Sequence, residues 1–181
     1  MPASTGVSRE EGFTLTELLV AMLILGVLSS IAVWGLRAYQ RAQEFSGTAH
    51  SLVSSLRNAG ERAQSEGRTY CVQFDGSGTS WSVWRYSCEA GFTASPGGAA
   101  AQVLTNQRVQ GSEVSLSVKA GDAFPSSGAN AGSCPSGSLA CVYFYPRGTA
   151  SGGSLLVHRV GQTSTFEVHV EGLTGRVDLV G

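Results

Sequence analysis

Charge is scarce in this sequence. Twelve Lys and Arg face 13 Asp and Glu among 181 residues, together 14% of the chain. That is too little for a highly charged disordered tail, and too evenly balanced for a broadly basic nucleic-acid platform. Proline is sparse at 5, and the 24 glycines follow no three-residue period, which excludes a collagen-like rod. A phosphate-cradling loop, a dinucleotide fingerprint and the strand-flanked nucleophile elbow of hydrolases are all missing. His50, His158 and His169 fall at spacings that form no familiar metal pattern. No catalytic residue, metal or cofactor is assigned, and no enzyme is expected.

Apolar residues, by contrast, make up 42% of the chain and crowd towards its N-terminus. From Leu18 to Leu36 nineteen residues pass without a charge or a proline, with Glu17 directly ahead of them. At ~1.5 Å per residue the run approaches the ~30 Å hydrocarbon core, and Phe13 to Thr16 extend it. A transmembrane helix over 13–36 is the expectation. A cleaved secretory signal is the first alternative, with Ser30-Ile31-Ala32 as its small-x-small site. The leader argues against it, because Glu10 and Glu11 outnumber Arg9 where such signals are basic. An ordinary single-pass anchor leaves Glu17 unexplained, since a deep carboxylate costs roughly 2.5–3.5 kcal/mol on insertion.

The run Gly12-Phe13-Thr14-Leu15-Thr16-Glu17-Leu18-Leu19-Val20 resembles the class III signal of the type IV pilin and pseudopilin superfamily. The resemblance implies that a prepilin peptidase cuts between Gly12 and Phe13 and methylates the new amine. Glu17 then becomes the fifth residue of the mature chain. There it would offer its carboxylate to the ammonium of an incoming subunit, setting register more than adding net stability. The plainer reading is that Glu17 favours the helix dipole. Implied partners are other pilin or pseudopilin subunits, the peptidase/methyltransferase and an inner-membrane assembly platform. The implied location is the inner membrane, single pass, with an extracytoplasmic head.

Helical spacing continues beyond the apolar run. Phe45, Leu52, Leu56, Ala59 and Ala63 share one stripe, while Arg57–Glu61 and Arg62–Glu66 stand four apart on the exposed side. Gly67 offers a C-cap, so the helix is read as 13–66, about 80 Å if straight. Gly26, Gly35, Gly47 and Gly60 are its candidate soft points, a break near Gly47 being the plainer reading. Strands are expected at 69–74, 81–88, 103–109, 113–118, 140–145, 154–159, 164–170 and 175–180. The first two flank the Asp75–Ser80 turn. Segments 91–101 and 121–137 read as surface loops, either variable insertions or contact loops. The division expected is a cleaved leader (1–12), a helix (13–66; 13–36 transmembrane, 37–66 extracytoplasmic) and a β-rich head (67–181). This is an α+β pilin fold, a long N-terminal transmembrane helix whose second half packs on an antiparallel β domain.

Cys71 and Cys88 lie symmetrically about the Asp75–Ser80 loop, and Cys134 and Cys141 enclose a short Pro/Ser/Gly segment. Three pairings exist for four cysteines; 71–88 with 134–141 is preferred, over a zinc site whose ligand spacing is absent. Near the C-terminus, Phe144-Tyr145-Pro146-Arg147-Gly148 and Thr174-Gly175-Arg176-Val177 resemble the end of H-type minor pseudopilins of type II secretion and related fimbrial and DNA-uptake subunits. That resemblance implies a structural subunit of a secretion pseudopilus; the alternative is a minor pilin of a type IV pilus. DNA is admitted as a partner but not favoured. Removing 1–12 takes away Arg9, Glu10 and Glu11, leaving 11 basic and 11 acidic residues, and Arg176 stands near Asp178. The mature chain should begin at a methylated Phe13. Intact mass should show loss of residues 1–12 and gain of one methyl; a start at Ile31 or Val33, or a retained Met1, would overturn the assignment.

Overall fold

Helix α1 runs from Leu15 to Glu66 in the computed structural model, which describes residues 14–94 and 98–181. Thr14 caps its start: Thr14 Oγ1 accepts the Glu17 amide at 3.3 Å, and the Thr14 carbonyl accepts the Leu18 amide at 3.2 Å. Gly67 ends it in the left-handed region at φ 64°, and the Arg68 amide returns to the Ala63 carbonyl at 3.1 Å. Neither Gly47 nor Gly60 interrupts the helix. The chain divides into two units, Met1–Gln40 and Arg41–Gly181.

The first unit overturns one expectation. Among the described residues no helix is long and apolar enough to cross a membrane. This corrects the transmembrane segment expected over 13–36, and with it the single-pass inner-membrane location with an extracytoplasmic head. The physical reason is dilution: Thr16, Glu17, Gly26, Ser29 and Ser30 interrupt the apolar stretch from Leu15 to Ser30. Its leucines are nonetheless exposed, Leu15, Leu18, Leu19, Leu23, Leu25 and Leu28 each by more than half.

The second unit carries the strands: β1 (Tyr70–Asp75), β2 (Ser80–Arg85), β3 (Ala101–Arg108), β4 (Val114–Val118), β5 (Ser127–Gly128), β6 (Gly132–Ser133), β7 (Ser138–Phe144), β8 (Gly153–Arg159), β9 (Thr165–Val170) and β10 (Val177–Val180). They form antiparallel sheets in the orders β3-β2-β1-β7 and β10-β9-β8-β4, with β5-β6 as a small ribbon. The eight expected strands are present with shifted ends. The ribbon was not expected, because its glycines and serines carry no strand signal. It lies within 121–137, a segment that is no loose insertion: Ala131 is fully buried and Phe124 packs on Gly153.

One apolar core joins the helix to both large sheets. Ala49, Leu52, Val53, Leu56, Ala59 and Ala63 meet Tyr70, Val72 and Phe74 of β1, Trp81 and Val83 of β2, and Val142 and Phe144 of β7. Leu116, Leu155, Val157, Val168, Val170 and Val177 supply the other sheet's share. The alternation of apolar and polar residues along β9 decides which side enters. Small residues let the helix approach closely, and the Phe144 ring seats against Gly60. Phe45 and Phe166 stack at 4.7 Å. The expected Arg57–Glu61 pair is absent among the described ion pairs, because Arg57, still exposed, reaches across to β10 and donates twice to the Val177 carbonyl, at 2.7 and 3.2 Å.

The β1–β2 turn is held by a single carboxylate. Asp75 Oδ1 accepts the Thr79 amide at 2.9 Å and the Ser80 amide at 2.6 Å, and Ser77 donates to Oδ2. Burial opposes its charge, but the hydrogen bonds from Ser77, Ser80 and Thr79 outweigh it and hold the carboxyl below its ordinary 3.8. A depressed folded value gives stability present above the ordinary value and lost as pH falls through the folded one. Asp75→Ala should cost about 1–3 kcal/mol at pH 7, with a clearly smaller difference at pH 2.5. Denaturant unfolding at both pH values measures this; an equal cost at both would refute the assignment.

Candidate functional site

Three features of the structure bear on function: the exposed start of α1, a second core built on disulfides, and the meeting of two turns near the C-terminus. Gly12 and Phe13 lie outside the described residues. Glu17 is exposed in the first turn of α1. Thr14 and Glu17 have the Thr-x-x-Glu spacing of a capping box, of which the structure shows the Glu17 backbone amide donating to Thr14 Oγ1, and the acidic side chain in the first turn favours the helix dipole. Around and beyond it, the apolar side chains from Leu15 to Leu28 stand exposed. A contiguous apolar surface of this kind marks a place where another molecule binds.

The structure joins Cys71 to Cys88 and Cys134 to Cys141, with Cα separations of 5.5 and 5.6 Å. The first bond does not arise from cross-strand register. Cys71 faces Trp84 and Phe74 faces Trp81, so the symmetric pairing that would oppose Phe74 to Arg85 does not occur. Instead β2 ends at Arg85, and Tyr86 takes a left-handed conformation at φ 71°. Its amide donates to the Thr69 carbonyl at 2.7 Å, and this fold-back precedes Cys88 in the chain. Both disulfides then share one core with Ala131 and Tyr143, covered by Trp84 and Tyr145. Cys71 alternates with Tyr70 and Val72, and Tyr143 with Val142 and Phe144, so this core lies on the opposite side of the sheet from the helix. Burial, with the charges of Tyr145 and Glu89, pushes the Tyr143 hydroxyl up to about 12.

The two C-terminal turn motifs, 27 residues apart at their glycines, pack together. Pro146 follows Tyr145 in a turn that closes when the Gly148 amide donates to the Tyr145 carbonyl at 3.0 Å. Phe144, ahead of the turn, is buried in the main core. Gly175, at φ 62°, donates to the Glu171 carbonyl at 2.8 Å. A Cβ on Gly175 would stand 2.6 Å from the Gly148 carbonyl oxygen. Two turns thus press backbone to backbone, and only a residue without a side chain fits between them. The following Arg176 is spent locally, its guanidinium 2.6 Å from Asp178 Oδ2. Behind it, the groove of about 590 Å³ between α1 and 174–178 is lined by Arg57, Glu61 and Gln64 on the helix side. The sequence showed each motif but not their meeting.

The sequence profile of the family described as "Type II transport protein GspH" matches residues 48–174, and that of the "Prokaryotic N-terminal methylation motif" matches residues 7–33. No curated protein matches the sequence significantly. Among solved structures, the fold is similar to the minor pseudopilin EpsH from the type 2 secretion system of Vibrio cholerae: TM-score 0.53, 15% identity, 76% of this chain and 97% of that one covered. It is also similar to the type IV minor pilin FimU of Pseudomonas aeruginosa: TM-score 0.54, 18% identity, covering 79% and 92%. At these identities the likeness is one of fold. Gly175→Ala should destabilise the second unit by about 1–3 kcal/mol, through positive φ and overlap with Gly148 together. Thermal or denaturant unfolding gives the measure, and a neutral effect would mean that the two turns do not press together.

Proposed function

We propose, from the premise that this chain belongs to the type II transport protein GspH family, that the exposed apolar start of α1 is the surface through which it associates with other pilin-like subunits. The protein is a non-enzymatic, minor pseudopilin-like structural subunit of a type II-like secretion system. It interacts with other pilin subunits and with assembly machinery. The observation that carries the assembly reading is the row of leucines from Leu15 to Leu28, exposed along a helix whose second half is fully engaged with the sheets. An apolar row of that extent is stable in water only when another apolar surface covers it.

The finer assignments follow from this reading. Residues 1–12 are a leader removed by a prepilin peptidase, 13–66 the assembly helix and its continuation, and 67–181 the head. Glu17 would be the counter-charge for the amine of a neighbouring subunit's Phe13. The assembly platform of the secretion machine is the further partner. A subunit of a type IV pilus is the alternative, supported only by likeness of fold to FimU. DNA binding is disfavoured, because Arg176 already pairs with Asp178 and a single arginine so engaged gives little hold on phosphate.

Glu17→Gln keeps the shape and helix position of the side chain but removes its charge. Incorporation into filaments with partner subunits should fall sharply, read by crosslinking and co-purification from cells. The melting of the second unit should not change. Wild-type incorporation of Glu17→Gln and Glu17→Ala together would remove the assembly role and leave only the helix cap.

A further inference from the structure

Asp122 lies far in sequence from Glu167 and His169 of β9, yet the three converge beside one residue, Ser154. The backbone arranges this. In the β8–β9 register Ser154 opposes His169 and Leu156 opposes Glu167, and residues two apart on β9 face the same side. The turn after β4 is tied to the same place. Ser154 donates its amide to the Asp122 carbonyl at 2.9 Å and accepts the Lys119 amide at 3.0 Å, while the Asp122 amide donates to the Lys119 carbonyl at 3.2 Å. The turn that carries Asp122 is therefore fixed against β8 at both ends.

The side chains finish the arrangement. Ser154 Oγ, fully buried, lies 3.0 Å from Glu167 Oε1 and 2.9 Å from His169 Nδ1. Asp122 Oδ2 is 3.5 Å from the same Nδ1, and Glu171 Oε2 is 3.7 Å from Nε2. Donor atoms of Asp122, Glu167 and His169 all lie within 4.8 Å of one another. Lys119, the chain's single lysine, sets its Nζ 2.8 and 2.7 Å from the two Glu167 oxygens. Its hydrogen bonds, and then that of Ser154, hold the Glu167 carboxyl below its ordinary range. Ser154 is closed to solvent and gives its one hydroxyl proton to Glu167, so it accepts from His169 Nδ1–H, a proton that a cation bound at Nδ1 would displace; the group is no nucleophile with its base.

Metal bonds of about 2.0–2.2 Å at tetrahedral angles put donor atoms roughly 3.4 Å apart, close to the Asp122–His169 separation. An imidazole nitrogen with two carboxylates suits a zinc-class cation, whereas calcium takes six to eight oxygens. We propose that Asp122, Glu167 and His169 form a site for a zinc-class divalent transition cation, with water completing the coordination. The Lys119 side chain is 44% exposed and can withdraw to solvent when the cation takes over Glu167. Bound there, the cation would staple the turn after β4 to β9, at the entrance to the segment that carries Cys134. The sequence hides this set, because Asp122 joins Glu167 and His169 only through the β4–β8–β9 pairing.

Zn²⁺ titration of the purified full chain by calorimetry, with Co²⁺ visible absorption as a second readout, tests the site. One saturable equivalent is expected, absent or more than about tenfold weaker in His169→Ala, and weakened also in Asp122→Asn, a change in a turn that leaves the strands intact. Lys119→Met should bind more tightly than the wild type, because it frees Glu167. Bound zinc should raise the melting temperature of the wild type but not of His169→Ala. If the three acids and the imidazole serve only as an ion-paired staple, Lys119→Met lowers stability and leaves zinc binding absent. That result, or binding unchanged in both His169→Ala and Asp122→Asn, overturns the proposal.

Discussion

The seating of one helical stripe against two sheets is the constraint on which the rest of the second unit depends. Ala49, Leu52, Leu56, Ala59 and Ala63 fall at helical spacing, and the small members let the sheets come close. Each sheet offers its apolar side to that stripe, so neither has a core without it. The polar links follow the same geometry. Arg57 reaches the Val177 carbonyl only because β10 begins beside that helical turn, and Phe144 seats on Gly60 because the helix has no side chain there. Loss of the stripe would leave two antiparallel sheets with nothing to cover.

The disulfides solve a different problem. A sheet covered by a helix on one side still presents its other side to water, and here β1 and β7 place Cys71, Cys141 and Tyr143 on it. The two bonds, with Ala131 from the loop over 121–137, build a second core on the side that α1 does not cover. Cross-links of this kind act largely by limiting the unfolded chain, which suits loops rich in glycine and serine. The same loop runs from the turn that bears Asp122. Covalent pinning at Cys134 and hydrogen bonding at Ser154 therefore hold its two ends.

The two units spend their apolar residues in opposite ways. In the second they are buried against partners within the chain. In the first they remain exposed on α1, and among the described residues no helix is long and apolar enough to span a bilayer. The hydrophobic effect that folds the head is thus left unsatisfied in the arm, and an assembly of subunits is where it can be satisfied.

Helix α1, its Gly67 cap, the eight principal strands and the turn at Asp75 were all legible along the chain, because each follows from residues within a few positions of one another. Period, β-branching, capping groups and turn glycines act locally. The Gly12–Val20 signal and the two C-terminal motifs were legible for the same reason. Apolar length misled at 13–36, since a count of uncharged residues ignores the dilution by serine and the charge at the margin. What the chain could not show by itself was which distant residues would meet. The register of β1 against β2 set Cys71 opposite Trp84 and required the fold-back at Tyr86 to reach Cys88. The packing of Gly175 on Gly148, the turning of Arg57 from Glu61 to Val177, and the gathering of Asp122, Glu167 and His169 about Ser154 came the same way. These depend on strand register and loop placement, which are fixed only when both sheets close on one helix, so the tertiary structure alone decided them.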